Sequence, residues 1–286
     1  EFSSLAKFSA KEDWSLTSKV MKHHQKSYVG NSMIEKQAKF LYGKSKSFEE
    51  FVYHSQLTQA NAISSAINSH RLDAPRCMGT LYWQLNDCWP APTWSSIDYY
   101  GSWKALHYAV RDDYRQIAVL KKIDLKGNIE LFLKSDALKS NENAIQLSLE
   151  VYSLDGKLLS SKSQKLSISY MEQLSLGKFK PENQVVKVRI GFDYERVFLL
   201  SKEKTFKTKL ASVEDITINL NAVDTINKTA VIEINNDQFL ADFWLYSAKI
   251  GVTFDKNFIQ LLPGKHQILI HFIEIPEQKD FACFFR

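Results

Sequence analysis

The spacing of hydrophobic and polar residues changes partway along this chain. Up to about residue 115, apolar residues recur every three or four positions, whereas from about Gln116 onward they alternate with polar residues. The first spacing is typical of amphipathic helices, and strict alternation is typical of strands with one buried face. The pattern therefore predicts a helix-rich N-terminal part and a strand-rich remainder.

Local capping signals place four helices in the N-terminal part. Ser9 and Ser47 are each followed three residues later by Glu, which is the capping-box pattern of a helix start. Gly43 stands where a left-handed residue commonly ends a helix. The predicted helices span about 9–23, Ser32–Tyr42, about 47–70 and about Ser102–Arg115.

One apolar run lies between the third and fourth helices. Pro75 interrupts the chain, and Cys77–Leu85 is then nearly continuously apolar, as in a strand buried on both faces of a parallel sheet. A helix, a buried strand, a loop and a helix make up a β/α unit. A complete β/α barrel needs about 200 residues and eight strands, so the N-terminal part is predicted to be an incomplete domain.

The remainder predicts β-sandwiches. Turn signals at Lys126–Asn128, Asp155–Lys157 and Pro263–Gly264 separate several alternating runs. About 170 residues exceed one immunoglobulin-sized sandwich of about 100, so two are expected, with a boundary in the Lys-rich stretch 202–209. The predicted strands include Ile129–Leu133, Ile145–Tyr152, Val185–Ile190, Ile216–Leu220, Ala230–Ile234, Phe243–Tyr246 and Ile268–Phe272.

Composition excludes several classes of protein. The 37 basic and 32 acidic residues give a net charge of +5 without a concentrated basic stripe, so no nucleic-acid partner is expected. No apolar run approaches the ~18–20 residues of a membrane-spanning helix, so no membrane partner is expected. The three cysteines are too few for a disulfide framework or a zinc site. A chain that starts without Met or a leader is expected to be a mature product or a fragment.

Aromatic residues crowd into one window of the N-terminal part. Such density favours a surface that recognises flat apolar ligand faces, although each ring is equally well explained as a large core residue. The residues are Tyr82, Trp83, Trp89, Trp94, Tyr99, Tyr100 and Trp103.

The same window carries a family resemblance. Gly79–Tyr108, which reads GTLYWQLNDCWPAPTWSSIDYYGSWKALHY, strongly resembles the β-mannosidases of glycoside hydrolase family 2. Met21–Asn31 and Phe254–Gly264 are also similar to that family, so the resemblance spans nearly the whole chain. A match over 30 residues is far more specific than a short motif.

The resemblance implies a fold and a domain plan. Family members place a (β/α)8 catalytic barrel before further immunoglobulin-like domains. On that plan residues 1–115 are the C-terminal portion of the barrel, with 77–85 as its last strand. Residues 116–206 and 207–286 are then two immunoglobulin-like β-sandwiches. The expected fold class is accordingly α+β and multidomain, and the chain is expected to be a C-terminal fragment.

The resemblance also implies the chemistry of the parent enzyme. Family members hydrolyse terminal β-mannose with retention, and retention requires two carboxyl groups about 5–5.5 Å apart, one as acid/base and one as nucleophile. Both are Glu in the family. Glu1 matches the nucleophile motif superficially, but aligning Lys7–Trp14 with the family places Glu1 several residues after the nucleophile. Both catalytic residues are therefore expected outside this chain, which alone should be inactive.

Three residues are predicted to bind substrate. Trp83 stands at the end of the predicted strand, where barrel side chains enter the active-site mouth, and the family tryptophan here contacts mannose in the glycone subsite. The alternative is a core tryptophan. Asn86 and Asp87 follow on the loop, where they either bond sugar hydroxyls or brace neighbouring loops; Asp87 is assigned no proton transfer.

Other candidates favour packing over sugar contact. Trp89, Trp94 and Trp103 are expected to pack the loop and the next helix. His23–Gln25 could approach the mouth, and adjacent histidines are a weak metal signal, so no metal or cofactor is predicted. Trp244 is expected in a sandwich core.

Several functional alternatives stay open. The strand-rich part is either a carbohydrate-binding module or a structural support for the barrel, and the second is favoured. Exo-β-glucosaminidases and β-galactosidases share the architecture. Expected partners are terminal β-mannosides, the rest of the parent chain and a second copy of this chain, which could cover the open barrel face. Family members are periplasmic or secreted in bacteria and lysosomal in eukaryotes.

Overall fold

The protein is described by a computed structural model that covers residues 2–138, 144–201, 209–210 and 216–286, with backbone alone for 209–210. In these residues the N-terminal part is helical and the remainder consists of strands. The helices are α1 (Phe2–Leu5), α2 (Lys19–His24), α3 (Gly30–Tyr42), α4 (Phe48–Leu72) and α5 (Ala105–Asp113). None of these helices has the length and hydrophobicity needed to cross a membrane.

Three of the four predicted helices are confirmed. The Ser47 hydroxyl accepts a hydrogen bond from the Glu50 N–H (3.2 Å) at the start of α4, as a capping residue does. Helix α3 ends before Gly43, whose φ of 81° suits glycine. Helix α5 falls inside the predicted range. Each of these signals is local, so the sequence is sufficient to reveal it.

The helix predicted over 9–23 is wrong over most of its length. The Ser9 hydroxyl donates back to the Leu5 carbonyl (2.7 Å) and therefore caps nothing. A short 3₁₀ helix forms at Lys11–Asp13, and α2 starts only at Lys19. The N-terminal cap is instead Ser18, whose hydroxyl accepts a hydrogen bond from the Met21 N–H (3.1 Å).

The strand predicted over Cys77–Leu85 does not form in the described structure. This segment has no ladder partner there and is largely exposed, with Leu81 at 99%. A strand requires a neighbouring strand for its backbone hydrogen bonds, and the apolar run of residues 77–85 shows the composition of a buried strand without such a neighbour. A cis peptide bond joins Ala74 to Pro75 just before it.

In the described residues, seven strands follow the helical part and form two antiparallel sheets. The strands are β1 (Ile117–Ile123), β2 (Ile129–Ser135), β3 (Ile145–Ser153), β4 (Leu158–Leu166), β5 (Gln173–Phe179), β6 (Gln184–Ile190) and β7 (Tyr194–Leu200). One sheet has the order β1-β2-β5 and the other β4-β3-β6-β7. Both contribute to one apolar core, which contains Leu133, Leu149 and Val188. We call this part the first β region.

The remaining strands form a second pair of sheets. They are β8 (Lys209–Leu210), β9 (Thr217–Asp224), β10 (Thr229–Asn236), β11 (Leu240–Ser247), β12 (Val252–Phe254), β13 (Ile259–Leu261), β14 (Gly264–Phe272) and β15 (Phe281–Phe285). The sheet orders are β12-β14-β10-β9 and β13-β11-β15-β8. Ile232, Phe243 and Ile270 belong to a shared core that also includes Tyr108 of α5. We call these strands the second β region.

All seven predicted strands are confirmed, and the structure adds others. Strand β4 was missed because it is exposed along almost its whole length and so shows no apolar alternation. It lies at a sheet edge and pairs only with β3 among the described strands. Edge strands of this kind are commonly polar and rich in lysine, as β4 is.

The described chain separates into two compact units. One comprises the residues up to Asn61, Tyr82–Tyr108 and the second β region. The other comprises Ala62–Leu81 and the first β region with the residues from Ala109 that precede it. The structure is thus mostly β-sheet with few helices. The predicted boundary within 202–209 lies almost entirely outside the described residues.

Candidate functional site

Trp83 projects from a segment whose neighbouring residues are packed. Its side chain is 78% exposed, whereas Tyr82 before it and Gln84 after it are half-buried. The peptide bond from Trp83 to Gln84 is cis. The exposed indole is therefore available to a ligand.

The backbone after Trp83 is bonded to a returning stretch of chain. The Ser96 N–H donates to the Gln84 carbonyl (2.9 Å), and the Ile97 N–H donates to the Leu85 carbonyl (2.8 Å). These bonds close the loop that contains residues 86–95. They reach only Gln84 and Leu85, the last two residues of the segment that the sequence predicted as a strand.

The Asp87 carboxylate points into the protein and is buried. The Thr93 hydroxyl lies 2.6 and 2.8 Å from its two oxygens, and the Ser95 hydroxyl donates to it at 2.6 Å. The Lys104 ammonium lies 3.5 Å away and also donates to the Ser95 hydroxyl (2.7 Å). The Asp87 carboxylate is thus held by side chains of its own loop and by Lys104.

The Lys104 ammonium is a buried charge with acidic neighbours. Burial lowers its pKa, while Asp87 and Asp98 act to raise it, and the net result is below the ordinary lysine value. A buried ion pair of this kind is stable only when both partners are present and hydrogen-bonded. The pair therefore fixes the 86–95 loop against the start of α5.

Asn86 is the polar residue of this loop that stays exposed. Its side-chain amide lies 3.4 Å from the Asp87 carbonyl, a long contact, and its backbone forms an isolated bridge with Ile97. The amide therefore has both donor and acceptor capacity left for a ligand.

The end of α2 contacts the loop through His24 and Gln25. His24 Nδ1 donates to the Pro90 carbonyl (2.6 Å), and the Gln25 amide donates to the Pro92 carbonyl (2.8 Å). In return the Trp89 indole N–H donates to the His24 carbonyl (3.1 Å). These contacts hold the tip of the loop on the helical part of the chain.

Trp89 is packed by side chains of this protein. Its ring stacks on His24 with centroids 5.3 Å apart, and the Lys26 ammonium lies 4.4 Å from the ring centroid. Phe8 stacks on His24 in turn, at 4.1 Å. The indole is 39% exposed, so it contributes mainly to loop packing. This agrees with its sequence interpretation.

Trp94 and Trp103 also take part in packing. The Trp94 carbonyl accepts a hydrogen bond from the Gln59 amide of α4 (2.6 Å). The Trp103 ring lies 4.4 Å from His107 and 5.4 Å from Tyr108, and it packs against the core of the second β region. Both residues connect the loop to the body of the protein.

Trp244 is fully buried, as predicted. It lies on β11 within an aromatic cluster that includes Tyr53 of α4 and Phe284 of β15. A buried indole cannot serve as a sugar platform, so the one tryptophan of the strand-rich part has a structural role.

Two remaining predictions concern residues or groups outside this loop. Glu1, which was weighed as a nucleophile, lies outside the described residues. Within the part of the chain that is described, no group of three or more His, Cys, Asp or Glu side chains could hold a metal ion.

The residues that hold the loop together were not predicted from the sequence. Ser95 and Ser96 have no solvent exposure, and Lys104 is almost completely buried. The available signal was a pair of small polar residues between Trp94 and Ile97, inside an otherwise aromatic stretch. Serine is common on surfaces, so this signal becomes informative only once burial is known.

Comparison with curated proteins shows where the sequence similarity lies. A mouse β-mannosidase is 27% identical over 94% of this chain, which corresponds to 33% of the mouse protein. A goat β-mannosidase is 32% identical over 53% of this chain and 18% of its own length. The chain therefore spans about a third or less of the length of these relatives. No protein-family model matches the chain.

Solved structures share the fold. A β-D-mannosidase from Dictyoglomus thermophilum matches 98% of this chain and 35% of its own, with a TM-score of 0.77 and 20% identity. An exo-chitosanase from Amycolatopsis orientalis matches 94% of this chain with a TM-score of 0.68 and 15% identity. Over nearly its whole length the chain is thus similar in sequence to curated β-mannosidases, and it shares the fold of a solved β-mannosidase of glycoside hydrolase family 2.

Proposed function

We propose that this chain is part of a retaining exo-β-mannosidase that removes terminal β-D-mannose residues from glycans. The observation that carries the proposal is the sequence similarity to curated β-mannosidases, which extends over 94% of the chain. The fold match to a solved β-D-mannosidase, at a TM-score of 0.77, supports it. The chain contributes a binding tryptophan and structural domains to the whole enzyme.

Trp83 is the proposed glycone-subsite residue. An indole presents an apolar face to the C–H face of a sugar ring, and its N–H can donate to a hydroxyl. The exposure of Trp83 and the pairing of the backbone beside it meet the requirements of such a platform. Asn86, which is exposed on the same loop, is proposed to bond a sugar hydroxyl.

Asp87 is proposed as a bracing residue rather than a substrate ligand. Its carboxylate is buried and is engaged by Thr93, Ser95 and Lys104. A general acid must give a proton to the glycosidic oxygen, and a carboxylate paired with a buried ammonium is poorly suited to that task. The two catalytic Glu residues are proposed to lie in the parent chain outside these 286 residues.

The two β regions are proposed to be immunoglobulin-like sandwiches that support the catalytic barrel, of which residues 1–115 form the last portion. The burial of Trp244 favours this role over sugar binding. We propose the boundaries 1–115, 116–206 and 207–286. The remaining barrel, or a second copy of this chain, would cover the exposed segment 77–85. Because the curated relatives are β-mannosidases, we propose that the whole protein is lysosomal or secreted.

Exo-β-glucosaminidase activity is the second candidate. The structural match to an exo-chitosanase covers 94% of the chain, which is nearly the coverage given by the β-mannosidase structure. Both activities act on a terminal β-linked sugar, and they differ in the substituent and configuration at C2. Selectivity at C2 therefore discriminates between the two proposals.

The test is hydrolysis by the whole protein that contains this chain. Chromogenic β-mannoside, β-glucosaminide and β-galactoside are supplied in parallel, and we expect turnover of the β-mannoside. Trp83→Ala should lower kcat/KM by about 10- to 100-fold, or roughly 1.4–2.8 kcal/mol. Tyr28→Ala removes a fully exposed aromatic residue elsewhere and should have no effect. Turnover of the glucosaminide alone would instead establish the second candidate.

A binding measurement separates support from carbohydrate binding in the β regions. Soluble β-mannan is titrated into the protein that carries Trp83→Ala. Saturable binding that survives this substitution would locate a second sugar site and contradict a purely structural role for the β regions. Loss of binding is the expected result.

A further inference from the structure

We propose that Ser96 is the positioning residue for Trp83, so that its hydroxyl sets the orientation of the exposed indole. The inference rests on the proposed function in one respect: the indole is taken as the sugar platform. Ser96 itself is completely buried and touches no ligand. Its action is on the backbone and on the residues that flank Trp83.

Ser96 bonds the chain on both sides of Trp83. Before the indole, the Tyr82 hydroxyl lies 2.9 Å from the Ser96 hydroxyl. After it, the Ser96 N–H donates to the Gln84 carbonyl (2.9 Å), and the Ser96 hydroxyl donates to the Leu85 carbonyl (2.9 Å). One residue therefore fixes three of the four nearest positions around Trp83.

Ser96 is in turn fixed to the body of the protein. The Lys104 N–H, just before α5, donates to the Ser96 carbonyl (2.9 Å). His107, within the first turn of α5, places Nδ1 at 3.1 Å from the Ser96 hydroxyl. Ser96 thus connects the backbone around Trp83 to the start of α5. A helix positions a side chain more precisely than a loop does.

The hydrogen-bond roles around Ser96 are consistent with one another. A serine hydroxyl has one proton to donate and can accept two hydrogen bonds. The Leu85 carbonyl can only accept, so the Ser96 proton goes there. The Tyr82 O–H and the His107 Nδ1–H then both donate to the Ser96 oxygen. This arrangement uses the full capacity of the hydroxyl and assigns the Nδ1–H tautomer to His107.

The exposure of Trp83 explains why an external positioning residue is needed. A buried tryptophan is oriented by the side chains around it, but this one is 78% exposed. Its orientation depends on the backbone beneath it. Displacement of a substrate-positioning group by about 1 Å can lower the rate by about 100-fold, so a small backbone shift is sufficient to affect turnover.

The experiment compares Ser96→Ala, Tyr82→Phe and the double variant in the whole protein. Ser96→Ala removes the hydroxyl and keeps the backbone bond to Gln84, and Tyr82→Phe removes only the bond to Ser96. Ser32→Ala is the matched control, since the Ser32 hydroxyl bonds the Val29 carbonyl at an exposed site (2.9 Å). Thermal unfolding identifies any variant that fails to fold.

Two readouts are measured on each variant. The first is kcat and KM on the β-mannoside. The second is the ¹⁹F spectrum of protein labelled with 5-fluorotryptophan, in which Trp83→Phe identifies the Trp83 resonance by its disappearance. The second readout reports the surroundings of the indole whether or not the protein is a mannosidase.

We expect Ser96→Ala to shift or broaden the Trp83 resonance and to lower kcat/KM by about 10- to 100-fold. Tyr82→Phe should have a smaller effect in the same direction. The double variant should lose little more than Ser96→Ala, because both substitutions remove the same contact. The Ser32→Ala protein should match the wild type in both readouts.

A Trp83 resonance that is unchanged in folded Ser96→Ala protein would overturn the proposal. So would a kcat/KM within about twofold of wild type in that variant while Trp83→Ala lowers kcat/KM by about 10-fold or more. If the wild type hydrolyses no β-mannoside but the resonance moves, the proposed function fails and the positioning role stands. A change in Tm without either change indicates a structural role only and contradicts the proposal.

Discussion

The Tyr53 ring of α4 lies parallel to the Trp244 indole of β11, with ring centroids 6.0 Å apart and an interplanar angle of 3°. The Tyr53 hydroxyl also donates to the Asp242 carbonyl (2.9 Å). Phe284 stacks on both rings. This aromatic cluster joins the first part of α4 to the second β region, so these residues form one structural body.

Trp244→Ala is expected to destabilise that body strongly. Removing a buried tryptophan leaves a cavity and typically costs about 3–5 kcal/mol. Tyr53→Phe keeps the stacked ring and removes one hydrogen bond, so a loss of about 1 kcal/mol is expected. Denaturant unfolding monitored by circular dichroism measures both values. Equal losses in the two variants would mean that the hydrogen bond, rather than ring packing, carries the interaction.

The buried pair of Asp87 and Lys104 leads to a second prediction. Asp87→Asn leaves the Lys104 ammonium buried without its countercharge, which typically costs about 3–5 kcal/mol. Adding Lys104→Met removes the remaining charge and should recover part of the loss. Unfolding free energies of the two single variants and the double variant give the coupling directly. Strictly additive losses would show that the two groups do not interact.

Gly43 supports a third prediction with an internal control. Its φ of 81° and ψ of −166° lie in a region that is essentially restricted to glycine, so Gly43→Ala should cost about 1–3 kcal/mol although space around the Cβ is open. Gly79 has equally open space and no such backbone conformation. Gly79→Ala should stay within about 1 kcal/mol of the wild type. Similar losses at both positions would exclude the conformational explanation.

The extent to which sequence predicted this structure depends on how local each feature is. Helix α4 was predictable because its Ser47 cap and its apolar spacing lie within the helix itself. Residues 77–85 have the composition of a buried strand, but the strand state requires neighbours that the described chain does not provide. Apolar composition indicates that a segment is suited to burial, but it forms a strand only where a neighbouring strand supplies backbone hydrogen bonds.

The candidate site divides in the same way. Trp83 could be predicted as a binding residue because its motif is contiguous in the sequence, and the structure shows that it is exposed. Ser96 and Lys104 were missed because their importance arises from contacts with Tyr82, Leu85 and Asp87, which lie 11–17 residues away. Such contacts exist only after the loop has closed.

His54 provides a prediction for pH dependence. It is buried beside Tyr42, whose ring stacks on it with centroids 4.9 Å apart, and its Nδ1 lies 3.0 Å from the Ser45 hydroxyl. The pKa of His54 is lowered to about 4, and burial is the largest cause. Glu50 acts to raise this pKa, and Arg286 acts to lower it. The histidine is therefore neutral in the folded protein above about pH 4.

The direction of the effect follows from proton binding in the two states. Between pH 4 and about 6.5, the unfolded chain protonates His54 and the folded protein does not, so the unfolded state binds more protons. Stability should therefore decrease as the pH falls from about 6.5 to 4, and this contribution should be absent above pH 6.5. Replacing His54 with a residue that does not titrate should reduce the dependence of stability on pH between about 4 and 6.5.

His54→Gln is the variant that tests this, and His23→Gln is its control, because His23 is exposed. Unfolding free energies are measured in denaturant at half-unit steps from pH 7 to pH 4. We expect the slope of the His54→Gln protein to be smaller than that of the wild type by up to one proton, and the His23→Gln slope to equal the wild-type slope. A His54→Gln slope equal to that of the wild type would show that His54 titrates alike in both states and that its burial has no energetic consequence at these pH values.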